Sequence, residues 1–387
     1  MTNTMNLDQT YIAETYKRFP VEIVSGKGSV VYDSDGKSYI DMGSGIGVTS
    51  FGIADSLWQQ AIIEQIGKVQ HMSNLYYTQP CAQLAELLCQ NSGLKRVFFS
   101  NSGAEANECA IKIARKYSSD KYGPGRHTII TLQNSFHGRT LATLAATGQD
   151  HFHKLFQPLP TGFVSVPAND LSAIQRAASD CHPAAVMIEC IQGEGGVHCL
   201  DASYIKALRA YTEANDILLI VDEVQTGNGR TGMLYSYMHF GITPDLVSTA
   251  KGLAGGLPLG AVLIGDKCQH TLSYGDHGST FGGNPVCCAA ALSILRRLDQ
   301  PFLESVRTKG ELIRSTLTGQ PGIESVSGLG LMVGIKTTKP AADVVSQCLS
   351  NGVLCLTAKD KVRLLPALNI PSDLLLHALS VILSACR

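Results

Sequence analysis

The sequence has no large excess of positive or negative charge and no long apolar run. Its 387 residues carry a formal net charge of −1, so no basic surface of the kind found on nucleic-acid-binding proteins is expected. No apolar run approaches the roughly 20 residues that a transmembrane helix needs. The first residues also lack the basic-then-apolar pattern of a secretory leader. We therefore expect neither a nucleic acid nor a membrane as a partner.

Closely paired cysteines are also missing. Twelve cysteines are spread along the chain, but none forms a C-x-x-C pair. Several, including Cys109 and Cys190, lie in apolar segments, where a thiol behaves as a small hydrophobic side chain. This usage is typical of a reducing cytosol rather than of a secreted disulfide framework, so we expect a cytoplasmic protein. The one close histidine pair, His151 and His153, has no cysteine near it, and we expect no metal site.

Short apolar segments alternate with helical patterns from residue 97 onward. The segments that we interpret as strands are 97–99, 128–132, 185–188, 218–221, 245–247 and 261–264. They are apolar on both faces and separated by helices, which predicts a parallel or mixed sheet covered on both sides. From about residue 292 the pattern changes to helix, strand and helix, which indicates a second, smaller α/β domain.

Lys251 is unusually placed, because it lies between an apolar strand and the glycine-rich run 252–256. Burying an ammonium group is costly unless the group is paired or neutralised. A Schiff base with a carbonyl substrate or with pyridoxal phosphate would neutralise it. A lysine at a strand end whose side chain reaches solvent would explain the position equally well. From this residue alone, both interpretations stay open.

Two strand ends carry candidate ligand-binding groups. Residues 100–107 form a small-residue turn into a helix that we expect to end near residue 116. The free N–H groups of such a helix start can bind an anion. Ser102 and Glu105 also match a capping box, which needs no ligand. Asp222, after strand 218–221, could cap a turn, bind Mg²⁺ in an ATPase, or pair with a protonated pyridine nitrogen. The ATPase alternative fails because the chain has no G-x-x-x-x-G-K-[ST] loop.

Two further loops contain residue types found in ligand-binding sites. Residues 227–232 match G-x-G-x-x-G, but the motif does not directly follow a strand and the next acidic residue, Asp245, comes too early for a dinucleotide site. Phe136 and Arg139, beside a loop glycine, suit a planar ring and a carboxylate.

Taken together, these segments resemble the class-III (ω-amino) pyridoxal-phosphate aminotransferases. The motifs that carry the resemblance are SNSGAEANE at 100–108, FHGRT at 136–140, QGEGG at 192–196, DEVQTG at 222–227, AKG at 250–252, STFGGNP at 279–285 and R-x-x-P at 363–366. They follow the family's order over nearly the whole chain. The resemblance implies an α/β fold of the fold type I, aspartate-aminotransferase-like class. Its large, mostly parallel sheet domain would span 56–291, and its small domain would combine 1–55 with 292–387.

The resemblance also implies pyridoxal 5′-phosphate as the cofactor. Lys251 would form the Schiff base and then shuttle the proton of the reaction. Asp222 would keep the pyridine nitrogen protonated, and Gln225 would donate a hydrogen bond to the ring oxygen O3′. Phe136 and Val224 would enclose the ring.

The phosphate of the cofactor would be bound by two chains. By resemblance, Gly103 and Ala104 supply backbone N–H groups beside the capping residue Ser102. Thr280 would reach the same phosphate from the other subunit of a homodimer with shared active sites.

Four side chains would bind the substrates. Arg139, with Ser279 nearby, would grip the carboxylate farthest from the reacting amine, and Arg363 would grip the α-carboxylate of glutamate. Glu194 would neutralise Arg363 when the donor has no carboxylate at that place, since an unpaired buried guanidinium is costly.

The reaction implied is transfer of the ω-amino group of N2-acetyl-L-ornithine to 2-oxoglutarate, giving N-acetyl-L-glutamate 5-semialdehyde and L-glutamate for arginine biosynthesis. His137 is usual in family members that use the acetylated donor, although succinylornithine enzymes share it. Succinylornithine, ornithine and 4-aminobutyrate are alternative donors. A class-III racemase and a non-catalytic cofactor-binding protein are further alternatives. The pair of Arg363 and Glu194 argues against the racemase, and the presence of Lys251 with Asp222 argues against the non-catalytic protein.

Overall fold

The computed structural model describes residues 2–387. In chain order the helices are α1 (Asn3–Tyr11), α2 (Ser44–Gly47), α3 (Ser56–Ile66), α4 (Gln79–Ser92), α5 (Gly103–Tyr122), α6 (Leu141–Ala146), α7 (Leu171–Cys181), α8 (Ala202–Ala214), α9 (Pro285–Leu295), α10 (Gln300–Leu317), α11 (Ala341–Ser350) and α12 (Ser372–Cys386). The strands are β1 (Ile23–Lys27), β2 (Val30–Asp33), β3 (Ser38–Asp41), β4 (Arg96–Ser100), β5 (Ile129–Leu132), β6 (Phe163–Val166), β7 (Ala185–Ile188), β8 (Ile191–Gln192), β9 (His198–Cys199), β10 (Leu218–Asp222), β11 (Leu246–Thr249), β12 (Gly260–Ile264), β13 (Ile323–Leu329), β14 (Met332–Thr337), β15 (Val353–Leu354), β16 (Leu356–Ala358) and β17 (Lys361–Leu364). No helix in this part of the chain is both long and apolar enough to cross a bilayer.

The largest sheet has the strand order β4-β12-β11-β10-β7-β5-β6. β12 runs antiparallel to both of its neighbours, and the other pairs are parallel. Every residue of β5, β7, β10, β11 and β12 is buried, because helices cover both faces of the sheet. The mostly parallel sheet predicted from the sequence is therefore confirmed. The edge strand β6 was not predicted from the sequence, and unlike the central strands it has exposed middle residues.

Helix α5 follows β4 and covers one face of the sheet. It runs to Tyr122, beyond the end expected near residue 116. The last turns are held by the buried Ser118 and by an ion pair between Lys116 and Asp120, one helical turn apart. Gly123, in a positive-φ conformation, then ends the helix.

A second apolar core brings the two ends of the chain together. Ile40 in β3 and Met42 directly after it pack with buried residues of the segment 306–386. β15 also pairs with β3 in parallel, and β13, β14, β17 and β16 form a further sheet. Helix α9 crosses the predicted boundary at 292, and its Leu292 and Leu295 pack into the core of the large sheet. The boundaries at 56 and 292 stay a prediction.

The carboxyl ends of β4, β5, β7, β10 and β11 lie at one edge of the large sheet. The segments that follow these strands contain the sequence motifs at 100–108, 136–140, 192–196, 222–227 and 250–252. Ligands of open α/β sheets bind beyond this edge. The topology therefore gathers at one place motifs that are far apart in sequence.

Candidate active site

A cavity of about 600 Å³ opens beyond these strand ends. The residues of the predicted site that line it are Ser102, Gly103, Ala104, Phe136, Arg139, Asp222, Val224, Gln225 and Lys251. Other lining residues had no assigned role in the sequence analysis, among them Tyr16, Asn107 and Glu189. The cavity is large enough for a small cofactor together with a substrate.

Asp222 ends β10 with its carboxylate 4% exposed. Oδ2 accepts hydrogen bonds from Asn107 Nδ2 at 2.8 Å and from His137 Nδ1 at 2.8 Å, and Oδ1 accepts one from Val224 N at 3.0 Å. A carboxylate offers about four lone pairs, so one on Oδ1 is left for a donor in the cavity. Asn107 and His137 were quoted in the motifs, but only the fold shows that both hold Asp222.

Lys251 begins a turn after β11 with φ at 47°, a conformation uncommon outside glycine. Asn228 Nδ2 donates to Thr249 Oγ1 at 2.9 Å and to Ala250 O at 3.0 Å, and Ser50 Oγ donates to Gly252 O at 3.1 Å. These bonds fix the backbone on both sides of Lys251. Strain that the surroundings enforce in this way is a feature of functional sites.

The amine of Lys251 lies among charged side chains of the cavity. Burial lowers the pKa of Lys251 from its usual value of 10.5; the nearby Glu194 opposes that shift, and Arg363 adds to it. A lysine with a lowered pKa is a better nucleophile and base near neutral pH.

The start of α5 forms a cradle of small residues. Ser102 Oγ accepts a hydrogen bond from Glu105 N at 3.2 Å, which confirms the N-cap. Glu105 Oε2 accepts from Asn101 N rather than from the capping serine, so the second half of the capping box is displaced by one residue. A Cβ atom built on Gly103 would lie 2.6 Å from Val224 Cγ1, so only glycine lets the helix start approach the end of β10 so closely.

Glu194 and Arg363 form an ion pair next to the cavity. Arg363 donates to Glu194 Oε1 at 2.6 Å, and the same guanidinium nitrogen donates to Gln225 Oε1 at 3.1 Å. Gln225 Nε2 in turn donates to Glu194 Oε1 at 3.3 Å. The side chain of Arg363 is 3% exposed and that of Glu194 is 32% exposed. Burial raises the pKa of Glu194, but Arg363, with help from Lys251 and Gln225, more than offsets this, and the net pKa is lowered.

The comparisons with known proteins agree with this geometry. The family model for class-III aminotransferases matches residues 11–386. The acetylornithine aminotransferase of Haemophilus ducreyi is 53% identical over 378 residues, which cover 97% of this chain and 96% of the relative. This chain belongs to the class-III aminotransferases. Among solved structures, the N-acetylornithine aminotransferase of Stenotrophomonas maltophilia is 34% identical with a TM-score of 0.85 and 98% of each chain covered.

A second solved neighbour is the ornithine aminotransferase of Toxoplasma gondii, in which PLP partially occupies the active site. It has a TM-score of 0.94 and 30% identity, covering 99% of this chain and 93% of that one. Family membership thus confirms the predicted fold type I architecture, the aminotransferase activity and pyridoxal phosphate as the cofactor.

The residues of this class-III aminotransferase fit that cofactor on their own geometry. The cradle of Ser102, Gly103 and Ala104 offers helix N–H groups to a phosphate. Asp222 keeps a lone pair for the N–H of a protonated pyridine ring, and the amine of Lys251 lines the same cavity. A cofactor that combines a phosphate, a basic ring nitrogen and an aldehyde matches this set of groups.

Arg139 lies at the more exposed side of the cavity. Its guanidinium stacks on the ring of Phe152 at 4.2 Å and lies 5.4 Å from that of Phe136. Within residues 2–387 no carboxylate forms an ion pair with it, so its hydrogen-bond donors can face an incoming ligand.

Two predicted site residues, Ser279 and Thr280, lie apart from both the cavity lining and the ion pair of Glu194 and Arg363. Ser279 Oγ accepts from Asn101 Nδ2 at 3.2 Å and from Gly282 N at 2.9 Å, and the described residues show no hydrogen bond between Ser279 and Arg139. Thr280 is exposed and, as far as the described residues show, its side chain has no hydrogen bond to its own chain. The predicted roles of both residues require a second chain.

Proposed function

We propose that this chain transfers the ω-amino group of N2-acetyl-L-ornithine to 2-oxoglutarate, with L-glutamate as the second product. The observation that carries this proposal is the buried Arg363 paired with the half-exposed Glu194 beside the cavity. An enzyme that alternates between an amine on a bare methylene and an amine beside a carboxylate needs such a pair. The names of the relatives at 53% and 34% identity support the same donor.

The pair acts as a gate between the two amino donors. With Glu194 in place, Arg363 is neutralised and the ω-amine end of N2-acetylornithine can lie beside it. Glu194 is partly exposed and can swing toward solvent, whereas Arg363 cannot follow. A buried guanidinium left with only Gln225 would be strongly destabilised, so the departure of Glu194 has to be matched by the arrival of the α-carboxylate of glutamate.

The remaining residues hold the cofactor and move the proton. Bound pyridoxal phosphate supplies an electron sink for the electron pair left when a proton leaves the carbon beside the amine. Lys251 Nζ takes that proton and would deliver it to the cofactor carbon that carried the aldehyde rather than back to the substrate carbon, and its lowered pKa suits this task near neutral pH. Asp222 pairs with the ring nitrogen, and Gln225 keeps one N–H free for the ring oxygen while bonding Glu194 with the other.

Arg139 binds the carboxylate of the substrate that lies farthest from the reacting amine. A planar guanidinium already oriented by two aromatic rings can grip a carboxylate with two parallel hydrogen bonds. In N2-acetylornithine this carboxylate is the α-carboxylate, and in glutamate it is the side-chain carboxylate.

The active enzyme is a cytoplasmic homodimer. Several large apolar side chains at the face that carries Thr280 are exposed in the single chain, and a second copy of this chain would cover them. Those side chains are Leu75, Tyr77, Tyr274 and Phe281. The same contact would bring Thr280 to the phosphate cradle of the partner.

Half-reactions with a panel of donors test the proposed function. Under single-turnover conditions the holoenzyme should convert N2-acetylornithine with the highest kcat/KM among N2-acetylornithine, N2-succinylornithine, ornithine and 4-aminobutyrate. L-Glutamate should be its partner in the reverse half-reaction. A higher kcat/KM for another donor would show that the proposed donor is wrong. Racemisation of an amino acid without amino transfer would show that the proposed reaction is wrong.

A further inference from the structure

Glu189, directly after β7, is a buried carboxylate for which the proposed reaction has no role. It lines the cavity and is 5% exposed. Its two oxygens accept from two different loops. Oε2 accepts from Phe136 N at 2.9 Å, and Oε1 accepts from Gly193 N at 3.1 Å. Glu189 therefore ties the loop that carries the ring-stacking Phe136 to the loop that carries Glu194.

The hydrogen bond from Gly193 to Glu189 affects the pair of Glu194 and Arg363, because Gly193 packs closely against Gln225. A Cβ atom built on Gly193 would lie 2.5 Å from Gln225 Oε1, so the backbone at this glycine lies directly against the amide of Gln225. That amide bonds both Glu194 and Arg363. A shift of Gly193 therefore moves the base of Glu194 and its bridging partner at once.

Other contacts hold the neighbouring residues Gln192 and Gly195 of the same loop against residues 133 and 134. Gln192 Nε2 donates to Gln133 O at 2.8 Å, and a Cβ atom on Gly195 would lie 2.6 Å from Asn134 O. Glu189 holds the N–H of Gly193, the residue that immediately precedes Glu194, whereas the carbonyl of Gly193 accepts bonds only from within the same loop, from Gly196 N and Val197 N at 3.3 Å, as far as the hydrogen bonds of residues 2–387 show.

We propose that Glu189 is a positioning residue for substrate choice, because it holds the Gly193 backbone so that Glu194 returns to Arg363 after each half-reaction. This inference rests on the proposed gate role of Glu194 and Arg363. A carboxylate suits the position because both of its oxygens accept hydrogen bonds. Glutamine has the same shape but only one accepting oxygen, so it can keep only one of the two bonds.

The test compares Glu189→Gln and Glu189→Asp holoenzymes with the wild type. Aspartate keeps the charge but is too short to reach both loops. In both variants Glu194 should be held less well, and Arg363 should be free more often. The ratio of kcat/KM for glutamate to kcat/KM for N2-acetylornithine should rise about three- to thirtyfold. Glutarate, an unreactive dicarboxylate, should bind more tightly by a similar factor in calorimetry.

Two further variants separate this role from general damage. Glu223→Gln is the matched control, because Glu223 is also a fully buried carboxylate but bonds Ser236, Thr226 and the backbone of Tyr237 instead of the gate loop. It should leave the ratio unchanged. In a Glu194→Ala background, Glu189→Gln should have no further effect on the ratio, since the side chain that it positions is absent.

The outcomes are distinguishable. If Glu189→Gln lowers both half-reactions equally, or shifts the ratio while Glu189→Asp does not, the positioning role through the hydrogen-bond bridge is wrong. If Glu194→Ala itself leaves the ratio unchanged, the proposed gate fails before the question of Glu189 arises.

Discussion

At the scale of single residues, the site combines groups that would be unstable without one another. Lys251 has a strained backbone and a lowered pKa, Arg363 is a buried charge, and Asp222 has nearly all of its lone pairs occupied. Each of these features is costly in an ordinary core and is compensated by a specific partner. Single substitutions should therefore have large and specific effects on chemistry.

Lys251→Ala should abolish the yellow colour of the holoenzyme and nearly all turnover. The purified wild type should show absorbance from bound cofactor, and borohydride reduction should fix the label on Lys251. General acid–base catalysis by a positioned side chain contributes roughly 10²–10⁴-fold, so turnover should fall by at least that factor. Peptide mapping that finds the reduced label on another lysine would disprove the assignment.

Glu194→Ala should leave Arg363 permanently available. Glutamate should then react better, and N2-acetylornithine should react less well. The ratio of their kcat/KM values should change about tenfold to a thousandfold, because freeing or unpairing such a charge is worth roughly 2–4 kcal/mol. Both half-reactions are measured in wild type and variant. An unchanged ratio would mean that Glu194 has only a structural role.

Glu189 should also make stability depend on pH. The pKa of Glu189 is raised from 4.5 to about 7. Burial is the main cause; Asp222 adds to the rise and His137 opposes it. Because the folded-state pKa exceeds the unfolded value, the folded chain binds more protons between these values, and stability falls as pH rises through this window. Between pH 5.5 and 8, the free energy of unfolding of the wild type should fall by up to about 2 kcal/mol more than that of Glu189→Gln, at about 1.36 kcal/mol per pKa unit. Lys251, which also faces this site, is present in both proteins, so its titration affects them alike. Denaturant titrations at both pH values measure this, and parallel curves would contradict it.

At the scale of elements, the site depends on how closely the start of α5 approaches the end of β10. A helix N-terminus binds phosphate only where its N–H groups are reachable, and here the approach is set by Gly103 against Val224. Element boundaries follow from capping and are visible in the sequence. The distance between two elements depends on side-chain volumes from distant parts of the chain.

Gly103→Ala should weaken cofactor binding by about tenfold or more, because its methyl group would displace Val224 or the start of α5. Val224→Ala removes both clashing methyl groups but also a contact to the cofactor ring, so Gly103→Ala should cost less affinity in a Val224→Ala background than in the wild type. Gly67→Ala is the control, since Gly67 has a helical φ of −72° and its added methyl would meet only an ordinary contact at 3.4 Å. Apoenzyme titration with pyridoxal phosphate measures the affinities. An equal loss in the wild-type and Val224→Ala backgrounds would show that the clash is not the cause.

At the scale of the whole molecule, the proposed role of Thr280 at the cofactor phosphate needs a second chain. Thr280 is exposed, and the apolar side chains around it are exposed as well. Two copies can complete each other's sites if each contributes this surface to the other. A symmetric pair of this kind uses the same patch on both subunits.

Light scattering should therefore give the mass of two chains for the active enzyme. Thr280→Ala should leave that mass unchanged and weaken cofactor affinity by about ten- to hundredfold, the equivalent of one hydrogen bond to a charged group. Ser34→Ala, a substitution at an exposed turn, should change neither quantity. A fully active monomer would rule out the shared site.

The sequence by itself determined most strands of the large sheet and the N-cap of α5, and its motifs predicted which residues would bind the cofactor. These depend on apolar runs, on local hydrogen bonding and on motifs that keep their order along the chain. Only the tertiary structure decided that Asn107 and His137 hold Asp222, that Asn228 fixes the backbone before Lys251, and that Glu189 joins two loops beside the gate. Such contacts join residues far apart in sequence, and each donor has many possible acceptors until packing of the strands selects one. The residue types were therefore predictable, whereas their pairing was not.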